Sequence, residues 1–291
     1  MRCLPCVLGI LLLIAAPAGP ASAHGIAGQR FFPATLTIDD PFVADELSLP
    51  SVVHIKAPDA KQTTLGAELS KSITPNFGLS VGATYNFLDP NDPEEKSSSG
   101  FGNPDVAAKY VFFKSDAHET ILSLGLSWEI GGGGQKSGGA ESSSTISPSL
   151  FFGKGLGDLP DAVAYLRPLA ITGVFGADIP FAKGASDALT YGITIQYSLP
   201  YLQQFVKDVG IPPAVGRIFP IVELLFSTPI DHGKTTGTVN PGIIWAGKYV
   251  EVGVEAVIPI NRDTGKNVGV RALLHFFLDD IFPTVFHPIF N

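Results

Sequence analysis

Few residue groups in this chain have the types and spacing for chemistry, and most of them fail on context. Gly78-Leu79-Ser80-Val81-Gly82 has the spacing of the elbow that presents a hydrolase serine. That elbow needs a sharp turn from strand into helix, whereas this pentapeptide lies inside an alternating pattern in which glycine recurs at small-residue positions. Gly131 to Ser137 resembles a phosphate-binding loop, but Gln135 stands where a glycine must precede Lys136. The six histidines show no metal-ligand spacing. His24 could chelate copper only as a free N-terminus, His118 and His232 fall in a turn and a loop, and His54 and His275 are placed toward an interior by parity. Both cysteines, Cys3 and Cys6, lie in the leader described below, so no thiolate chemistry is available beyond it. The expectation is a protein that is not an enzyme and carries no catalytic set, no metal and no cofactor.

What survives is a set of charges that share one strand parity: Glu68, Lys109, Glu129, Glu223, Glu251, Glu255 and Arg271. Side chains alternate faces along a strand, and charge on a lipid-facing surface is costly. These seven are therefore predicted to line a lumen. Two roles are open to them: selecting solutes by charge, or pairing with one another to fill a narrow interior. Glu251, Glu255 and Arg271, on adjacent strands, form the best candidate network.

The elements that would position them are strands. Phe77, Leu79, Val81, Ala83, Tyr85 and Phe87 alternate with Gly78, Ser80, Gly82, Thr84 and Asn86. The pattern recurs near 122–129, 189–198, 250–258 and 268–276. Weaker candidates at 51–57, 62–73, 104–113, 145–153, 162–176, 219–229 and 236–246 bring the count to about twelve, an even number. Arg167 and Pro168 interrupt the strand near 162–176. Pro148, Pro168 and Pro241 each remove a ladder donor, which predicts a bulge or break at those points. Residues 200–217 carry Tyr201, Leu202, Phe205, Val206 and Val209 at helical spacing and read as a short interfacial amphipathic helix, or else as a miscounted strand.

Composition agrees. The chain is 45% hydrophobic with positive mean hydropathy, yet beyond residue 23 no apolar run reaches the length a spanning helix needs. Only helices and closed barrels satisfy the backbone in lipid, so the fold class expected is all-β, a transmembrane antiparallel up-and-down β-barrel. Residues 1–23 combine Arg2, an apolar run from Leu8 to Ala16, and Ala21-Ser22-Ala23, the pattern of a cleaved signal peptide. The chain has 19 basic residues, Arg2 among them, against 27 acidic. That excess argues against a nucleic-acid partner.

The expected organisation is a signal peptide at 1–23, a plug or periplasmic segment at 24–50, a barrel at 51–280 and a periplasmic tail at 281–291. Whether 24–50 enters the lumen is open. Long polar connections at 89–102, 131–144 and 178–187 are assigned outside and both termini to the periplasm. Aromatics near strand ends, Phe87, Tyr110, Phe112, Trp128, Tyr197, Trp245 and Tyr249, suit interfacial girdles. The tail is rich in Phe and Ile and broken by Pro283 and Pro288, so the closing strand is expected to end near Phe277.

The run Gly100-Phe101-Gly102-Asn103-Pro104-Asp105-Val106-Ala107-Ala108-Lys109-Tyr110, with the preceding strand from Gly78 to Phe87, resembles a segment of the outer-membrane barrel family labelled for the MetA pathway of phenol degradation. The resemblance covers about residues 50–280. It implies a Gram-negative, porin-like outer-membrane barrel that moves small aromatic or hydrophobic compounds, and it brings no catalytic residues. The expected function is therefore passive transport or channel activity for small solutes, with a plugged structural or surface-interaction barrel as the alternative. The expected partners are outer-membrane lipid, a small-molecule solute, and the barrel-assembly machinery during biogenesis.

Overall fold

Alternating apolar and small or polar residues make strands that are wet on one face and greasy on the other, and in the computed structural model they do so almost throughout. The structure describes residues 25–56, 60–92 and 94–290. The signal-peptide assignment for 1–23 and the copper reading of His24 lie outside the described residues. A small hairpin, β1 (Ile26–Ala27) and β2 (Arg30–Phe31), comes first. The wall follows: β3 (Glu46–Lys56), β4 (Ala60–Thr74), β5 (Phe77–Pro90), a short β6 (Ser98–Phe101), β7 (Asp105–Ser115), β8 (Thr120–Glu129) and β9 (Thr145–Gly155). It continues with β10 (Leu169–Pro180), β11 (Ala188–Tyr197), β12 (Ile218–Pro229), β13 (Thr236–Ala246), β14 (Val250–Pro259) and β15 (Gly269–Phe277).

Leaving aside β6, each of these wall strands pairs antiparallel with its neighbours in sequence, β5 with β7 included, and β15 pairs with β3 from Val270 opposite His54 to Phe277 opposite Glu46. The result is a closed twelve-strand antiparallel β-barrel. The short β6 is a flap within the β5–β7 connection, paired only with the outer part of β5. No described helix is long and apolar enough to cross a membrane, so any crossing is by strands. The outward face is apolar: Leu79, Val81, Leu124, Leu126, Phe175, Ile243, Val252, Val254 and Val270 are all exposed.

Several boundaries differ from the sequence expectation. The first wall strand begins at Glu46 rather than 51, because Ser48 and Leu47 still pair with β4 and β15 before a register shift at Ser48/Ser51. That shift resets the parity. His54, expected inside, faces outward and shares a 2.8 Å hydrogen bond with Thr63. The strand expected at 162–176 is β10, which begins at Leu169; Asp161–Leu166 is a 3-10 helix, and Arg167 and Pro168 form its exit. The prolines act as expected where they lie within a strand. Pairing of β9 with β10 lapses beside Pro148, and pairing of β13 with β14 lapses beside Pro241. In the 198–217 connection helix is confined to Leu199–Tyr201, a π turn at Leu202–Val206 and a 3-10 turn at Val215–Arg217.

One end of the barrel carries both ends of the wall, and it is called the terminal end here. Two of its connections, 156–168 and 198–217, are as long as those opposite, so loop length separates the two ends less cleanly than expected. Beyond Phe277 the tail turns back along the terminal end, where the Phe290 N–H donates to the Ile73 carbonyl and Lys71 Nζ to the His287 carbonyl, at 2.8 and 2.5 Å.

The outward assignment is testable at Leu124, mid-strand in β8 and 54% exposed. Leu124→Arg is expected to lower stability in bilayers by about 2–4 kcal/mol, read by denaturant unfolding in lipid vesicles. The same change at Ser142, in a connecting loop, is expected to be nearly neutral.

Candidate functional site

A twelve-strand wall encloses more space than its own side chains can fill. Here the chain between the small hairpin and β3 occupies much of it. Residues 33–45 leave the hairpin at the terminal end, run to the middle of the barrel and return to Glu46. Glycines on the inward face make room for this segment. A Cβ at Gly253 would press on the Leu36 side chain, one at Gly192 on Ile38, and one at Gly78 on Val43, each at less than 3 Å.

The deepest part of the segment is held by Glu223, midway along β12 and fully buried. Three successive backbone amides converge on its carboxylate: the Leu36 and Thr37 N–H groups donate to Oε2 at 3.1 and 2.9 Å, and the Ile38 N–H donates to Oε1 at 3.1 Å. The Thr194 hydroxyl adds a fourth donor at 3.1 Å. Next to it, the Thr37 hydroxyl donates to Glu255 Oε1 at 2.5 Å and accepts from Asn240 Nδ2 at 2.8 Å. Arg271 Nη1 donates to the Leu36 carbonyl at 2.7 Å, and its Nε lies 3.5 Å from Glu255. Charge-assisted hydrogen bonds of this kind are about twice as strong as neutral ones. Across the lumen, Lys109 pairs with Asp39 at 2.7 Å and donates to the Asp40 carbonyl at 2.6 Å. The Ser123 hydroxyl donates to the Pro41 carbonyl. At the exit, Asp45 binds Lys71 at 2.7 Å and the Ser72 amide at 2.5 Å.

The entry is fastened at the terminal end. Arg30, wholly buried, pairs with Glu119 at 3.1 Å, donates to the carbonyls of Pro168 (2.8 Å) and Arg167, and stacks 3.9 Å over the Tyr201 ring. Burial lowers the Arg30 pKa while Glu119 works against it. Glu119 has φ +45°, a left-handed backbone uncommon outside glycine. Its carboxylate also accepts from the Gly157 N–H at 3.2 Å, so strain at this turn coincides with a latch. Burial pushes the Asp40 carboxyl up to about 7, with Lys109 opposing.

The segment divides the interior. On one side, Phe31 and Leu36 pack against Phe219, Ile221 and Ile244 in an apolar core. Strand parity directs charges inward, yet this half of the interior is apolar, because the segment supplies apolar side chains for the inward apolar residues of β12 and β13 to meet. On the other side lies a cavity of about 390 Å³ bordered by β3, β4, β5, β7, β8, β9 and β15. Its walls carry Asp39, Asp40, Glu46, Glu68 and Asp105 against Lys71 and Lys109, with His275 at one edge.

Of the seven charges singled out from the sequence, Glu68 and Lys109 border this cavity. Glu223, Glu255 and Arg271 grip the segment. Glu251 is fully buried opposite His275, and neither of its oxygens has full hydrogen-bond geometry among the described residues, although the Ala34 N–H is directed at it. Glu129 sits apart at the far end and accepts from Asn103 at 2.8 Å. The proposed Glu251–Glu255–Arg271 trio is thus only a Glu255–Arg271 pair. Sequence reasoning missed Arg30, Asp39, Asp40, Asp45, Lys71 and Glu119. The signal available was the density of carboxylates and aromatics in a stretch without strand period.

If the Glu223 carboxylate seats the segment, Glu223→Ala should release it. Both native cysteines lie within the first six residues, so a single thiol introduced by Ile38→Cys, in a chain with Cys3 and Cys6 replaced, reports cleanly. Maleimide labelling of that thiol is expected to quicken at least tenfold with Glu223→Ala, on a scale of about 1.5–3 kcal/mol per hydrogen bond to a charged group. Glu129→Ala should leave it unchanged.

No family model matches the chain, and no curated protein does. Among solved structures, the COG4313 outer membrane channel from Pseudomonas putida F1 aligns with a TM-score of 0.53 at 13% identity, covering 80% of this chain and 95% of that one. A KdgM porin structure in complex with disordered oligogalacturonate aligns with a TM-score of 0.48 at 16% identity, covering 78% and 97%. LpxR from Salmonella typhimurium aligns with a TM-score of 0.48 at 11% identity, covering 80% and 99%. The fold of this chain is that of outer-membrane β-barrels.

Proposed function

We propose that this chain is a passive outer-membrane channel for small solutes, in which residues 25–45 act as a plug that must shift before solute passes. The observation that carries the reading is the way the lumen is filled. The segment is attached to the wall by side-chain hydrogen bonds and ion pairs, with no strand pairing between residues 33–45 and the wall, and a cavity is left beside it. A fold under no demand for passage has no need of a bore this wide, since the wall side chains of a smaller barrel fill its interior by themselves.

Five carboxylates against two lysines along the cavity give a field that favours cations or neutral solutes over anions. The likeness to the phenol-degradation family points to aromatic or other hydrophobic compounds. The fold likeness to the COG4313 channel supports the barrel on which this reading rests. The terminal end is assigned to the periplasm, and a signal peptide at 1–23 would deliver the chain there. The alternative, a structural or surface-interaction barrel, draws on the same plug: if it never moves, the loops at the far end carry the function.

Planar-bilayer conductance separates the two. The intact chain is expected to show rare openings, and deletion of 25–45 steady conductance with cation preference in a salt gradient, reduced by Glu68→Gln with Asp105→Asn. Glu223→Ala, which keeps the whole chain, should raise the open fraction. A barrel closed in all these forms, while still heat-modifiable on gels, would overturn the channel.

A further inference from the structure

At the far end of β14 and β15 the outward face changes character. Val252, Val254, Ile258, Val270 and Val268 form an exposed apolar column, because on both strands the alternate residues, among them Glu255 and Arg271, point inward. Just above this column, the 260–268 connection encloses a groove lined by Ile258, Pro259, Asn261, Arg262, Gly265, Lys266 and Val268. Arg262 and Lys266 are both exposed, and among the described residues neither makes a hydrogen bond or an ion pair. The nearby carboxylate, Asp263, is taken by Lys234 at 3.2 Å. In a chain with an acidic excess, two unpaired cations therefore flank one groove directly over a lipid-facing apolar strip. The loop is braced by its own hydrogen bonds: Asn261 Nδ2 donates to the Thr235 carbonyl at 2.7 Å, and the Thr264 N–H to Asn261 Oδ1 at 2.9 Å.

We infer that this groove seats the phosphorylated headgroup of a membrane lipid, with Arg262 and Lys266 contacting phosphate and the acyl chains lying along Ile258, Val268 and Val270. The guanidinium supplies a planar fork and the ammonium a point charge, a pairing suited to phosphate oxygens. The occupant is an anionic lipid rather than a free anion, since the groove opens onto the apolar column. The inference rests on the membrane placement proposed above but not on conduction through the lumen.

The test uses the whole chain purified in detergent and native mass spectrometry with diphosphorylated lipid A as probe, against its dephosphorylated form and inorganic phosphate. Arg262→Ala with Lys266→Ala is expected to weaken retention of the diphosphorylated lipid about 30-fold, on the scale of about fivefold per basic residue at a membrane surface. Arg262→Lys with Lys266→Arg should retain most of it, and Lys183→Ala, in another far-end loop, should retain all. Heat-modifiable migration confirms that each variant is a folded barrel and isolates this test from the membrane assignment. Equal retention by the double alanine variant, equal binding of the dephosphorylated lipid, or full displacement by millimolar phosphate would each overturn the inference.

Discussion

The structure depends on one pairing, that of β15 with β3. In hydrocarbon an unpaired backbone amide has no water to turn to and costs several kcal/mol, so a sheet of this size can stand in a membrane only if its two edges meet. They meet along a seam from Val270 and His54 to Phe277 and Glu46, with a register shift near Ser48. Closure fixes the strand number, the strand number fixes the bore, and the bore sets the problem that the rest of the chain answers. An outward surface of Leu, Val and Phe follows from the same constraint, as does the confinement of charge to the inward parity.

The bore is answered by the segment before β3. It brings hydrogen-bond donors to carboxylates that would otherwise be stranded: Glu223 alone receives three backbone amides and a hydroxyl. A buried carboxylate satisfied by backbone amides is cheap to keep and expensive to expose unpaired. The wall and the segment therefore complete each other, and the glycines that look merely small along the strands, Gly192 and Gly253 among them, are where the segment needs room. Satisfaction is uneven: among the described residues, Glu251, Asn240 and Gln196 keep buried polar atoms without a fully formed hydrogen bond.

The wall was legible in the sequence because its period is two and each face answers to a different solvent. Twelve strands, the break at Pro148 and the end of the closing strand at Phe277 could be read from residue types alone. The errors share a cause. His54 was misplaced by a bulge, which changes parity without any residue signature, and β10 was begun too early because the 3-10 turn at Asp161–Leu166 carries apolar residues at no clear period. The contacts of the interior segment were illegible for a further reason. Apart from Asp45 at its exit, its hydrogen-bond partners on the wall lie 69 to 235 residues away, as with Asp40 and Lys109 or Leu36 and Arg271, and no local pattern encodes a contact of that range. Parity identified which charges face inward; it could not say which of them would meet a cavity and which the segment.

The route of that segment has a topological meaning. Its hairpin sits at the terminal end against Asp116 and Glu119, its middle reaches Glu223, and it returns to the same end at Glu46. It enters and leaves by one mouth, a finger rather than a thread. No free chain end has to pass through the wall for it to be inserted or withdrawn, and neither movement disturbs the seam. The topology therefore lets the barrel close before its bore is filled, with no step of closure waiting on the segment.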